Sequence, residues 1–106
     1  MINIIDVVCG FSDEIQDGRT KADIVQYTRD ELDELAEEVA LEARGEAPGP
    51  DGTFGEAVDV LINAIDMIRK SRPDLSVNEI ESEVQAYTFL KCSKWLEKHR
   101  EKISNA

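Results

Sequence analysis

Histidine and cysteine are nearly absent from this chain: one histidine, His99, and two cysteines, Cys9 and Cys92, stand among 106 residues. The cysteines form no CxxC pair and no second histidine accompanies them. Neither a zinc site nor a thiol–imidazole couple is therefore supported, and both thiols are expected to be reduced and partly buried. Long apolar runs are missing as well. No stretch approaches the roughly 20 apolar residues that span a bilayer. The opening run from Met1 to Val8 is broken by Asp6, has no basic leader and is followed by no small-residue cleavage site, so the expectation is a cytoplasmic protein with no membrane partner. Positive charge is scarce too: twelve basic residues face 23 acidic ones, for a net charge of -11. That balance repels phosphate backbones and argues against a nucleic-acid polymer as partner. An anionic small molecule stays admissible if divalent cations stand between it and the carboxylates.

Proline and glycine are sparse except in one segment, and no linker divides residues 1–106 into two parts that could each bury a core, so a single domain is expected. Ile4, Ile5, Val8, Phe11 and Ile15 recur at three- and four-residue steps and predict a first helix over about residues 2–16, ended by Gly18. Thr20 to Asp23 can open a second helix, running to about Arg44 with Ile24, Leu32, Leu35, Val39 and Ala43 as its apolar stripe. The segment Gly45–Gly52 is rich in glycine and proline and must be a loop. Thr53 to Glu56 reads as a capping box for a third helix closing near Arg72-Pro73, and Ser76 to Glu79 as another, for a fourth reaching about His99. The fold class expected is all-α: a four-helix-bundle-like protomer with antiparallel neighbours. A helical monomer of this length is marginal, which favours an oligomer.

The second helix carries Glu31, Asp33, Glu34, Glu37 and Glu38. Residues three and four apart share a helix face, so Glu31, Glu37 and Glu38 project within about 60° of Glu34. On the third helix Glu56 and Asp59 share a face with Asn63. Like charges at this spacing repel, few basic residues lie near enough to offset them, and Tyr27, Leu41, Val60 and Met67 mix apolar groups into the same faces. A solvated acidic strip is the plain reading of a lone ExxE. Two such strips interleaved with apolar side chains point instead to a cleft between helices. Hard oxygen ligands in this number suit Mg²⁺, with Mn²⁺ as a substitute, and such ions suit phosphoanhydride hydrolysis.

At these residues the chain resembles the MazG-like, all-α nucleoside triphosphate pyrophosphohydrolases. Their EExxE pattern, followed after a gap by ExxD, is matched by Asp33-Glu34-Leu-Ala-Glu37 and Glu56-Ala-Val-Asp59, and the likeness extends over about residues 20–98. The resemblance implies Mg²⁺-dependent cleavage of a nucleoside triphosphate to the monophosphate and pyrophosphate, in nucleotide-pool housecleaning. It implies Glu34, Glu37, Glu56 and Asp59 as metal ligands, and assembly as a dimer or tetramer. Asp33 departs from the pattern by standing where the motif has its first glutamate. Glu38, just past the motif, is the candidate for orienting or deprotonating the water. Asn63, Lys91, Lys94 and Trp95 are the candidates for contacting substrate, although the last helix lacks the family's basic residue and asparagine at a spacing of four. The apolar stripe of the first helix, Ile4, Ile5, Val8 and Phe11, is the candidate subunit contact. Two other readings remain open: an acidic helical module that binds a basic protein surface without catalysis, and a degenerate relative that binds nucleotide or metal without turnover.

Overall fold

The computed structural model describes residues 3–105 and is helical throughout, with no strand among the described residues. Four helices follow one another: α1 (Ile4–Glu14), α2 (Lys21–Ala43), α3 (Gly52–Ser71) and α4 (Val77–Ser104). The expected start of the first helix at residue 2 lies outside the described residues. In α1 the Asn3 side chain accepts the Asp6 N–H at 3.0 Å, and extended backbone at Ile15 stops the helix. Gly18, at φ 76°, turns the chain toward α2, which opens on a reciprocal capping box: Thr20 N–H donates to Asp23 at 2.7 Å and Asp23 N–H to Thr20 Oγ1 at 3.1 Å. The expected box at Ser76 and Glu79 forms in the same way, with bonds of 3.0 and 3.2 Å.

The box expected at Thr53 and Glu56 does not form. Helix α3 already begins at Gly52, so Thr53 lies inside it, and the N-cap Asp51 makes no side-chain cap bond. The Thr53 hydroxyl donates to Glu42 of α2 instead. This frees Glu56 from a capping role and leaves its side chain for the α2–α3 contact. At the other end of the chain, α4 continues to Ser104, past the expected stop near His99.

Helix α3 lies at the centre: α2 packs along it, and α1 packs against both α3 and α4. The apolar core is small, with Val8 and Cys9 of α1 meeting Ile65 of α3 and Ile80 of α4, flanked by Ile5, Ile68, Leu75, Val77 and Val84. Cys92, expected to be partly buried, is exposed, whereas Cys9 is fully buried. On α1, Val8 is spent on this internal core, while Ile4 and Phe11 stay exposed. The expected stripe of α2 is corrected more sharply. Ile24 is buried, but Leu32, Val39 and Ala43 are exposed. The face turned to α3 runs instead through Ile24, Thr28, Glu31, Leu35 and Glu38, so α2 gives part of its contact surface to polar groups.

One buried node ties three segments together. Arg19, just before α2, donates through Nε and Nη2 to both carboxylate oxygens of Asp66 on α3, at 2.9 and 2.8 Å, and through Nη2 to Ser12 Oγ of α1 at 3.1 Å. Ser12 Oγ in turn donates to Asp66 at 2.5 Å. The Arg19 hydrogen bonds, opposed by burial, hold the Asp66 carboxyl below its ordinary range. A second clamp sits nearby: Arg69 of α3 donates to Asp13 at 2.6 Å and to the Leu75 carbonyl at 2.7 Å. Asp66→Ala strips Nε and Nη2 of Arg19 of their carboxylate partner and leaves the guanidinium paired only with the exposed Asp17 at 2.9 Å, so it is expected to cost about 3 kcal/mol in urea unfolding. Asp74→Ala, which removes an exposed partner of Arg72, is the control and should leave the transition almost in place. Equal midpoints for the two variants would contradict this account.

Candidate metal centre between α2 and α3

Glu31 of α2 and Glu56 and Asp59 of α3 each bring a carboxylate oxygen into a group whose members all lie within 4.8 Å of one another. Glu56 is buried, at 8% exposure, and Glu31 and Asp59 are half-buried. Glu34 stands beside them at the exposed mouth, near enough to raise the carboxyls of both Glu31 and Glu56. Three of the four therefore coincide with expected site residues, and Glu31 is the one that motif matching passed over.

Helical geometry explains the difference. Around the axis of α2, Ile24, Glu31, Leu35 and Glu38 cluster on one side, and Glu37 points more than about 100° away from their centre. Glu37 is accordingly exposed and does not join the group. The seven-residue step from Ile24 to Glu31 to Glu38 was the available signal for this face. Asp33 is likewise exposed. Glu38 is buried and engaged elsewhere: its two oxygens accept the Gly49 N–H at 2.9 and 3.2 Å, which ties the α2–α3 loop down onto α2. A Cβ on residue 49 would collide with Glu38 Oε1, so a larger residue there would push this carboxylate tip aside.

The remaining expected contacts lie apart from the carboxylates. Asn63 sits one turn beyond Asp59 and donates to the Asp59 carbonyl at 3.2 Å. Lys91, with Tyr87, borders an apolar groove of about 470 Å³ between the end of α3 and α4, where Met67, Ile68, Ile80 and Val84 form the walls. Lys94 and Trp95 lie farther out on α4 and are exposed, Trp95 at 75%. Helix α4 packs on α1, whereas the carboxylate group lies between α2 and α3.

The electrostatics of the group are those of a site lacking positive charge. Burial first, then the hydrogen bond to Glu34 and its negative charge, push the Glu56 carboxyl up to about 7. Burial and Glu34 raise Glu31 in the same order. Glu31 Oε2 and Glu56 Oε2 are buried and receive no hydrogen bond. Orphaned buried oxygens are rare because each carries a desolvation cost, and a shared proton, an ordered water or a cation can relieve a pair of them. An all-oxygen donor set of this kind fits Mg²⁺ or Mn²⁺. Compared with known proteins, the chain significantly matches no family model, no curated protein and no solved structure. Fold and site together define an all-helical protein with a partly buried carboxylate cluster between two successive helices.

The raised carboxyl fixes the sign of a pH effect. Glu56 keeps its proton up to about pH 7 in the folded chain and loses it near its ordinary value of 4.5 when unfolded. The folded state binds more protons across that window, so this contribution is complete below it and is lost as pH rises through 7. Asp66, held down by Arg19, acts in the opposite sense but only at more acidic pH. The metal-free protein is therefore expected to melt at lower temperature near pH 8 than near pH 5.5, Mn²⁺ should reverse the loss, and Glu56→Gln should flatten the profile. A thermal scan series with EDTA or Mn²⁺ checks this. A melting temperature that climbs steadily across the range would overturn it.

Proposed function

We propose that this chain is a Mg²⁺-dependent nucleoside triphosphate pyrophosphohydrolase of the MazG-like type, acting in the cytoplasm as a homo-oligomer whose helices form an antiparallel bundle. The observation that carries the reading is the convergence of Glu31, Glu56 and Asp59, with two buried oxygens lacking donors, on the two helices that hold both halves of the EExxE and ExxD pattern. A structural acidic surface needs no such convergence, and it would not bury its carboxylates at the expense of their hydrogen bonds.

In this reading Glu31, Glu56 and Asp59 hold the ion, and Glu34 completes the set at the open side. Bound Mg²⁺ supplies charge neutralisation for the phosphates and a water acidified enough to attack. Glu38 acts on position: by holding the Gly49 amide it fixes the loop that bounds the cleft. The groove beside Tyr87 offers an apolar place for the nucleoside, starting at Met67, about 12 Å along α3 from Asp59 at the helical rise per residue. Asn63 lies between the two places. Lys91, at the groove, meets the nucleotide, whereas Lys94 and Trp95 take no part within their own chain.

Chromatographic product analysis over a panel of NTPs and dNTPs, with Mg²⁺ and with EDTA, tests the reaction. Metal-dependent release of monophosphate and pyrophosphate is expected. Glu56→Gln should lower turnover by at least about 100-fold, as loss of a ligand to a catalytic ion does, while Glu37→Gln, off the cluster, should stay within about tenfold of the parent. Tyr87→Ala should raise KM more than it lowers kcat. No turnover with any nucleotide, despite Mn²⁺ binding, would leave a degenerate metal-binding relative. Neither turnover nor metal binding would leave an acidic module for a basic protein surface.

A further inference from the structure

The second half of α4 leaves the body of the protein. Every residue from Gln85 to Asn105 is exposed. A projecting single helix of some twenty residues is marginal in water unless one face packs against something. Its charge also departs from that of the chain. Lys91, Lys94, Lys98, Arg100 and Lys102, set against Glu97 and Glu101, make this stretch net positive by three, whereas the whole chain stands at -11.

Apolar and charged groups are sorted around the axis of this tail. At about 100° per residue, Trp95, His99, Cys92, Ile103, Leu96 and Phe89 fall within one arc of about 120°. Four of them, Cys92, Trp95, Leu96 and His99, line one open hollow of about 360 Å³. Phe89 is 73% exposed and Ile103 62%, so the chain's own helices leave the arc uncovered. Lys98 and Lys102 border it on the side of Trp95, and Arg100 borders it on the side of Phe89. Glu97 and Glu101 fall near the opposite pole, as does Leu90, the one large aliphatic side chain of the tail that lies off the arc.

We infer that this face of α4 lies in the surface of an anionic lipid bilayer, with the arc from Phe89 to Ile103 among the headgroups and Lys98, Arg100 and Lys102 reaching lipid phosphates. No helix among the described residues is long and apolar enough to cross a membrane. Lying in the surface asks only for an apolar arc with basic margins. A flat anionic surface meets both margins at once, and lysine and arginine stems follow the apolar boundary while their charged heads stay at phosphate level. Trp95, at the edge of the arc beside Lys102, holds the place that indole favours at a membrane–water boundary. The acidic body opposes the contact, which is why the overall charge pointed away from a membrane. Ile103, however, stands about 28 Å along the helix from Val84, well past the screening length of about 10 Å in 0.1 M salt. The inference does not rest on the hydrolase reading, because none of these residues belongs to the carboxylate group or the groove.

Binding of the full chain to vesicles in EDTA provides the test, read by flotation and by the emission of Trp95, the only tryptophan. With vesicles of equal parts phosphatidylcholine and phosphatidylserine, the emission is expected to move to shorter wavelength and to be quenched by brominated acyl chains. Affinity should be at least about tenfold above that for phosphatidylcholine alone, and should fall at least about tenfold between about 0.1 M and 1 M salt. Lys98→Gln/Lys102→Gln should weaken binding about 25-fold, at roughly fivefold per basic residue, and Leu96→Gln about tenfold. Leu90→Gln, at a comparably exposed leucine off the arc, should stay within about twofold of the parent. Far-UV circular dichroism of each variant confirms that its helices persist. Equal affinity for the two lipid compositions, or equal losses for Leu90→Gln and Leu96→Gln, would reduce the tail to a non-specific apolar surface and overturn the inference. Binding to polyglutamate with none to vesicles would overturn it too, and would assign the face to an acidic protein.

Discussion

The bidentate contact between Arg19 and Asp66 is the interaction on which the arrangement of helices depends. A single guanidinium reaches α1 through Ser12, holds α3 through Asp66, and sits one residue before the capping box that starts α2. The planar fork suits this task, because it donates in several fixed directions at once and stays charged. With an apolar core limited to a few buried side chains, dispersion and burial alone would leave the relative placement of α1 and α2 weakly specified. The node supplies that specification, and with it the register between α2 and α3 on which the carboxylate group depends.

The α2–α3 contact carries an internal conflict. A helix that packs well buries an apolar stripe, yet α2 turns Glu31 and Glu38 toward α3 while Leu32 and Val39 face outward. Glu38 is satisfied by the Gly49 amide. Glu31 and Glu56 are not satisfied in the same way, and retention of a proton on Glu56 near neutrality is the response of the metal-free chain. Local departures from good packing of this kind concentrate where a protein binds or reacts, and here the departure consists of three carboxylates within 4.8 Å of one another.

Surplus apolar surface on α4 is the second conflict, and it has the opposite character. The carboxylate group is polarity drawn partly into the contact between two helices; the α4 tail is apolarity left on the surface. Both follow from one allocation of residues. Side chains that would have closed a larger core around α2 and α4 are carboxylates on the inner face of one helix and exposed apolar groups on the other, which leaves the apolar core small.

How much of this was legible depended on the range of the interaction involved. The capping boxes at Thr20 and Ser76, the presence of a loop between α2 and α3 and the helical character of all four segments are local matters, decided by residues within a turn of one another, and the sequence by itself determined them. It also determined that carboxylates of α2 and α3 crowd, since helical spacing puts them on shared faces. What only the tertiary structure decided was which of them meet. The rotation of α2 about its own axis is set by packing on α3, and that rotation brings Glu31 to Glu56 and Asp59 and sends Glu37 to solvent. In the same way the start of α3 at Gly52 removed the cap expected at Thr53, and the direction of α4 left Trp95 outside any core. Periodicity specifies the angles between side chains on one helix; the angle between one helix and the next depends on contacts distant in the chain, such as Arg19 with Asp66, which no local pattern encodes.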